Sequence, residues 1–175
     1  ACLDLQLAWL AKQPKIDTII IVSQKPEITI KKNNIKIVYL NTDKQLYDIS
    51  KIKAHLSEEP FFVVLGNIIS DISLNKLLKK VTDEKVHGSF FYSMKEPDSA
   101  GYSIDLDQDH TLINIELNSS CRFLLNNIFC LDPELLTYFS DKQTNFFYEF
   151  IPELIKKEKI LKGVKSDNKD IVYDI

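Results

Sequence analysis

The most apolar strand pattern in this chain ends in a glycine and an amide. Phe61-Phe62-Val63-Val64-Leu65 runs into Gly66 and Asn67, which is how a buried parallel strand reads when it stops at a turn. Gly66 permits a tight bend or the close approach of a ligand to the backbone. Asn67 then stands at the carboxyl end of the strand, where open α/β sheets bind ligands; the plain alternative is a turn residue, a role that Asn often fills. A second amide pair, Asn126-Asn127, interrupts the apolar run from Arg122 to Cys130. Buried amides must find hydrogen-bond partners, so the pair marks either a β-bulge or a site that faces a ligand. Asp174, within Ile171-Val172-Tyr173-Asp174-Ile175, reads by itself as a solvated carboxylate.

The other ionisable groups form no constellation. Asp105, Asp107 and Asp109 alternate, which predicts one exposed acidic face of a hairpin. His55, His87 and His110 are scattered, and Cys2, Cys121 and Cys130 have no metal-like spacing. An odd cysteine count favours a reducing, cytoplasmic setting, with Cys121 and Cys130 as packing residues. The net charge of −3, from 22 Lys+Arg against 25 Asp+Glu, provides no basic field for nucleic acid. No apolar run approaches the roughly 18 residues of a membrane span, and no signal peptide is visible after Ala1. Lys79-Lys80 and Lys156-Lys157 with Lys159 read as solvated helix faces.

The elements that must position these residues alternate along the chain. Leu3, Leu7, Trp9 and Leu10 predict a helix that ends near Gln13-Pro14, since proline cannot continue one. Strands are predicted at 18–22, 35–40, 61–66, 88–94 and 122–130, with a hairpin of 102–107 and 111–116. Helices are predicted after Thr42-Asp43, from about Asp71, after Asp132-Pro133-Glu134 and over 145–157. Alternation of strand and helix argues an α/β fold with right-handed crossovers. The hairpin makes the sheet mixed. No linker, repeat or low-complexity tract divides the chain, so residues 1–175 are expected to form one domain.

In their order, these strings resemble the sugar-phosphate nucleotidyltransferases, in particular the mannose-1-phosphate and heptose-1-phosphate guanylyltransferases. Leu3 to Leu10 resembles the helix after that family's Lys-Pro-containing segment, and Phe61 to Asp71 its strand ending in Gly-Asp. Ile104 to Asp109 resembles its hairpin, and Leu125 to Leu136 its Asn-Ala-Gly strand and the helix that follows. Phe150 to Ile155 and Val172 to Ile175 resemble its late helix and its closing aromatic-x-Asp-Ile-Gly strand. The resemblance implies a Rossmann-like mixed sheet flanked by helices, of the nucleotide-diphospho-sugar transferase type. It further implies Mg²⁺ as cofactor, with a nucleoside triphosphate and a sugar 1-phosphate as substrates. Gly66, Asn67, Gly101, Asn126 and Asn127 become substrate-binding candidates by the same resemblance, and Asp174 a metal carboxylate.

Departures from the family pattern also carry predictions. Asn67 stands where the family has a metal-binding Asp, and Gly101-Tyr102 inverts its Tyr-Gly pair. Ile115-Glu116-Leu117-Asn118 occupies the place of its Glu-Lys-Pro, so the sugar-phosphate lysine is missing. The family's first strand, glycine-rich loop and catalytic Arg and Lys would precede Ala1, and no catalytic residue can be named within residues 1–175. Nucleotidyl transfer needs positioning and neutralised charge, and these residues alone predict an incomplete active site. Two functions follow: an enzyme that forms a nucleotide sugar, or a non-catalytic binding or subunit-interaction module of the same fold. A sheet without its first strand would expose two edges and would pair with another segment, a partner chain or a second copy.

Overall fold

The computed structural model describes residues 2–23, 36–41, 52–65, 68–95, 100–118, 120–139, 145–166 and 172–174. Helix α1 (Cys2–Leu10) leads to β1 (Thr18–Ser23), which pairs in parallel with β2 (Lys36–Asn41). β3 (Phe61–Val64) and the short β4 (Ile68–Ser70) precede α2 (Asn75–Glu84). β5 (Gly88–Met94), the hairpin β6 (Tyr102–Leu106) and β7 (Leu112–Leu117), and β8 (Phe123–Leu131) follow. A 3₁₀ turn (Pro133–Tyr138), a π-helical turn (Phe146–Phe150) running into α3 (Ile151–Lys156), β9 (Leu161–Lys165) and β10 (Val172–Asp174) complete the order.

The centre is a six-stranded mixed sheet, ordered β7-β6-β8-β5-β9, with β3 also on β8. Strand β8 is its axis. One side runs antiparallel along β5, and the other is shared, with Leu124 and Phe123 on β6 and Ile128 to Leu131 on β3. β5 also pairs in parallel with β9. Successive side chains of a strand point to opposite faces, and β5 fills two cores accordingly. Phe90 and Tyr92 join Phe129, Phe146, Phe150 and Leu154 on one face, whereas Phe91 joins Trp9, Ile72, Leu77 and Val81 under α1 and α2 on the other. Each such side chain, fully buried, contributes about 1.5–3 kcal/mol.

Local chemistry explains the ends of these elements. The Asp132 carboxylate accepts from the Glu134 amide (2.8 Å) and caps the 3₁₀ turn, with Pro133 in the first turn, where an N–H would have no partner. The expected helix over 145–157 begins instead as a π turn. Asn145 Oδ1 accepts from the amides of Phe147 and Tyr148, and Glu149 Oε2 accepts from the Asn145 amide. Pro152 has no N–H for the ladder, which accounts for the wider turn before it. At Gly163 of β9 a Cβ would lie 2.9 Å from the Tyr92 ring, so only glycine lets β5 and β9 approach.

Several expectations are corrected. β3 is hydrogen-bonded antiparallel to β8 rather than parallel to it, and all four of its residues are half-buried. The helix expected from Asp71 starts at Asn75, because β4 and its turn occupy the interval. β9 carries no run of large apolar residues, since Lys162 and Gly163 break the pattern, and is a strand that sequence reading missed. The aspartates form no common face: Asp107 Oδ1 accepts from the amides of Asp109 (2.9 Å) and Thr111 (2.7 Å) and builds the hairpin turn itself. Lys159 is no solvated charge; it pairs with Glu134 at 3.2 Å and lies 4.7 Å from the centre of the Tyr138 ring. The helix expected after Thr42-Asp43 lies, but for its last residues, outside the described residues. Among the described residues, no helix is long and apolar enough to cross a membrane.

Candidate functional site

The shared edge of β8 changes partner at Asn126-Asn127. β5 and β8 lose register between Phe90 and Tyr92, because Phe90 faces Phe129 while Tyr92 faces Leu125. The two extra residues of β8 make a bulge there, with Asn127 at φ 55°. From one direction β3 arrives, and the Leu65 amide donates to the Asn127 carbonyl (3.4 Å). From the other comes β6, whose register with Leu124 and Phe123, continued two residues, sets Gly101 level with Asn126.

Neighbouring amides have opposite surroundings. Asn126 is buried and fully engaged: its Oδ1 accepts from the Ser93 hydroxyl (3.1 Å), and its Nδ2 donates to Ser166 Oγ (3.0 Å). Ser166 Oγ donates in turn to the Tyr92 carbonyl (3.1 Å), so the chain of bonds joins β8, β5 and the end of β9. Asn127 is equally buried, at 7% exposed, yet its Oδ1 has no hydrogen-bond partner. A buried polar atom without a partner costs about 1–3 kcal/mol. A left-handed, non-glycine residue adds strain of a kind that gathers at functional sites.

The remaining candidates fall around this point. Gly66 and Asn67 lie outside the described residues, but both flanks are fixed: Gln6 Nε2 donates to the Leu65 carbonyl (2.7 Å) and to the Ile68 carbonyl (2.6 Å). β10 pairs antiparallel with β4, which sets the backbone of Asp174 opposite Ile68, one residue past Asn67. Gly101 has a structural duty. At φ 136° it adopts backbone that side chains avoid, donates its amide to Asn118 Oδ1 (3.0 Å) and accepts from the Asn118 amide (2.9 Å), closing the open end of the hairpin. Asn118 thus closes the hairpin within the stretch, Ile115 to Asn118, that the resemblance sets against Glu-Lys-Pro. Sequence reading gave no hydrogen-bonding role to Gln6, Trp9 or Gln13, which fasten α1 and the turn after it. Trp9 Nε1 donates to the Ile72 carbonyl (2.9 Å), and Gln13 Oε1 accepts from the Leu74 amide (3.0 Å). Polar residues on an otherwise apolar helix were the available signal.

No family model matches the chain, and no curated protein does. Solved structures do. The crystal structure of HddC from Yersinia pseudotuberculosis superposes with a TM-score of 0.78 at 16% identity, covering 98% of this chain and 78% of that one. A putative glucose-1-phosphate thymidylyltransferase from Bacillus anthracis gives 0.65 at 13% identity, over 81% of this chain and 60% of that one. The inositol-1-phosphate CTP transferase from T. maritima gives 0.61 at 12%, again over 81% and 60%. The fold is that of the sugar-phosphate nucleotidyltransferases. Within that fold the chain spans 60% of the thymidylyltransferase and of the CTP transferase. HddC has also been solved in complex with GMP-PN.

Among the described residues no three His, Cys, Asp or Glu side chains are grouped to hold a metal ion. Cys130, on β8 beyond the bulge, is buried, and burial followed by the nearby Asp132 charge pushes its thiol up to about 12. It is an inert packing group, not a nucleophile.

Proposed function

We propose that this chain is a nucleotidyltransferase-type domain that binds a nucleoside triphosphate and a sugar 1-phosphate, the substrates from which a nucleotide sugar is formed. The observation that carries the reading is the Asn127 side chain, whose buried oxygen lacks a partner at the split of β8. A ligand hydroxyl or amine would satisfy that oxygen, as a sugar or a base offers. The named thymidylyltransferase and CTP transferase, and the GMP-PN complex of HddC, supply the ligand class.

Mg²⁺ fits the donor types at this place. The β4–β10 register brings a carboxylate-bearing residue, Asp174, level with the neighbour of Asn67, and Mg²⁺ takes one or two protein carboxylates with substrate phosphates completing its shell. When bound, the ion supplies neutralising charge to the triphosphate. Asp174 would hold it, with Asn67 as a neutral oxygen donor. Asn127 and the backbone around Leu65 would orient the sugar side.

A second reading has its own support: Gly101, Asn118 and Asn126 are engaged in holding the fold. On that reading the chain is a non-catalytic binding or subunit-interaction module. Thermal unfolding against nucleoside triphosphates and nucleotide sugars, with and without Mg²⁺, separates the two. Ligands that bind only the folded form stabilise it by mass action, by about 2.7 kcal/mol at a hundredfold excess over Kd. A selective, Mg²⁺-dependent rise in Tm supports the first reading; a flat panel from a cooperatively folded sample overturns it in favour of the second.

A further inference from the structure

Asn127 and Asp174 belong to different sheets. Asn127 lies at the bulge of β8 in the central sheet, whereas β10, with Asp174, pairs with β4 in a two-stranded sheet. Among the described residues no ladder joins these two sheets, so their spacing is set where the chain passes from one to the other, at Leu65 and Ile68. The Leu65 amide donates to the Asn127 carbonyl (3.4 Å), and the Ile68 backbone stands opposite Asp174. The Ile68 amide in turn donates to the Leu65 carbonyl (3.2 Å). One buried side chain spans the same pair. Gln6 of α1 is 5% exposed, and its Nε2 donates to the Leu65 carbonyl at 2.7 Å and to the Ile68 carbonyl at 2.6 Å. A side-chain amide has two N–H donors, and Gln6 spends both on this crossing. The helix and its turn are anchored independently farther along, by Trp9 on the Ile72 carbonyl and by Gln13 on the Leu74 amide. Fastening α1 therefore does not require a glutamine aimed at these two carbonyls.

We propose that Gln6 is a positioning residue for the site, one that sets the spacing between Asn127 on its sugar side and Asp174 on its metal side by holding the Leu65 and Ile68 carbonyls on a single nitrogen. The assignment rests on the nucleotidyltransferase reading above. Gln6 acts through Leu65 on Asn127, and through Ile68 on the strand pair that carries Asp174. Its consequence is coupling. With the span intact, a ligand that engages one side finds the other already in place, so Mg²⁺ and a nucleotide sugar tighten each other's binding by the same factor. With the span broken, the two sheets lose their common tether at this point, and order gained on one side no longer reaches the other. A glutamine that only fastened α1 would give no such signature, because loosening the helix elsewhere would then have the same effect.

Two variants separate positioning from fastening. Gln6→Met keeps the length of the side chain and loses its donors, whereas Trp9→Phe loses the bond to Ile72 and leaves those to Leu65 and Ile68 in place. Without ligand, hydrogen exchange of the Leu65 and Ile68 amides is expected to quicken by about tenfold or more in Gln6→Met and to hold in Trp9→Phe. Binding is then titrated with GDP-mannose, dTDP-glucose and UDP-glucose, which carry both a sugar and a diphosphate, each with and without Mg²⁺. The factor by which Mg²⁺ tightens the responsive nucleotide sugar is expected to fall about fivefold or more in Gln6→Met, and to stay within about twofold in Trp9→Phe. The parent offers a check that needs no variant: the Gln6 side-chain amide resonance should move when that ligand binds with Mg²⁺. Unchanged exchange at Leu65 and Ile68, a Mg²⁺ factor that both variants lower alike, or a stationary Gln6 resonance overturns the assignment alone. A parent that binds none of the three overturns the nucleotidyltransferase reading, and this assignment with it.

Discussion

Asn126 and Asn127 are identical in type, adjacent and equally buried, and the structure gives them opposite roles. Asn126 spends its amide on Ser93 and Ser166. Truncating it removes the acceptor of the Ser93 hydroxyl and the donor to Ser166 Oγ, and Asn126→Ala is expected to destabilise the fold by about 2–3 kcal/mol. Asn127 holds left-handed backbone with an unpartnered oxygen. Glycine removes both penalties, so Asn127→Gly is expected to raise stability by about 1 kcal/mol and to abolish any Mg²⁺-dependent ligand shift. Urea unfolding of the two variants, beside thermal shifts with the responsive triphosphate, checks the pair. Loss of stability in Asn127→Gly, or a ligand shift that survives it, would show that this amide serves the fold. Sequence alone marked both residues, because two amides in an apolar strand need an explanation. It could not tell them apart: which one finds Ser166 depends on a bulge and on β9, neither visible in local pattern.

At the scale of elements, periodicity located β1, β2, β5 and β8 to within a residue or two, since alternating or continuous apolar runs report burial directly. It failed where tertiary contacts replaced local signal, as in β9, which is held by β5, and in the π turn that Asn145 and Pro152 impose. The β6–β7 hairpin was legible, but its turn chemistry was not. Asp107 makes that turn, and bonds from the Thr111 amide first, then from the Thr111 hydroxyl and the Asp109 amide, hold its carboxyl below the ordinary 3.8. A depressed folded pKa stabilises the fold above the unfolded value, and that contribution is lost as pH falls through the folded one. Asp107→Asn keeps an acceptor oxygen but has no charge to lose. The variant is therefore expected to be less stable than the parent at neutral pH, with the gap closing below the ordinary carboxylate value. Urea midpoints taken from neutral to strongly acidic pH measure this; a gap independent of pH would mean that charge does not hold the turn.

For the molecule as a whole, the arrangement of sheets predicts how it comes apart. β8 ties β3, β5 and β6 into the central sheet, and β5 extends it to β9, whereas among the described residues β1 and β2 are laddered only to each other. The small sheet adheres through α1 and the turn after it, where Gln6, Trp9 and Gln13 reach the backbone of Leu65, Ile68, Ile72 and Leu74. A unit joined by side-chain contacts and an apolar cavity lacks the cooperative ladder that binds β5 to β8. Sub-global opening draws on such weakly connected units. In residues 1–175, native-state hydrogen exchange in low urea is therefore expected to show β1 and β2 amides opening together at lower free energy than those of β5 and β8. The urea dependence of that opening should also be smaller, since less surface is exposed. Merging of all four strands into one isotherm at zero denaturant would show instead that the cavity walls already hold the two sheets as a single cooperative body.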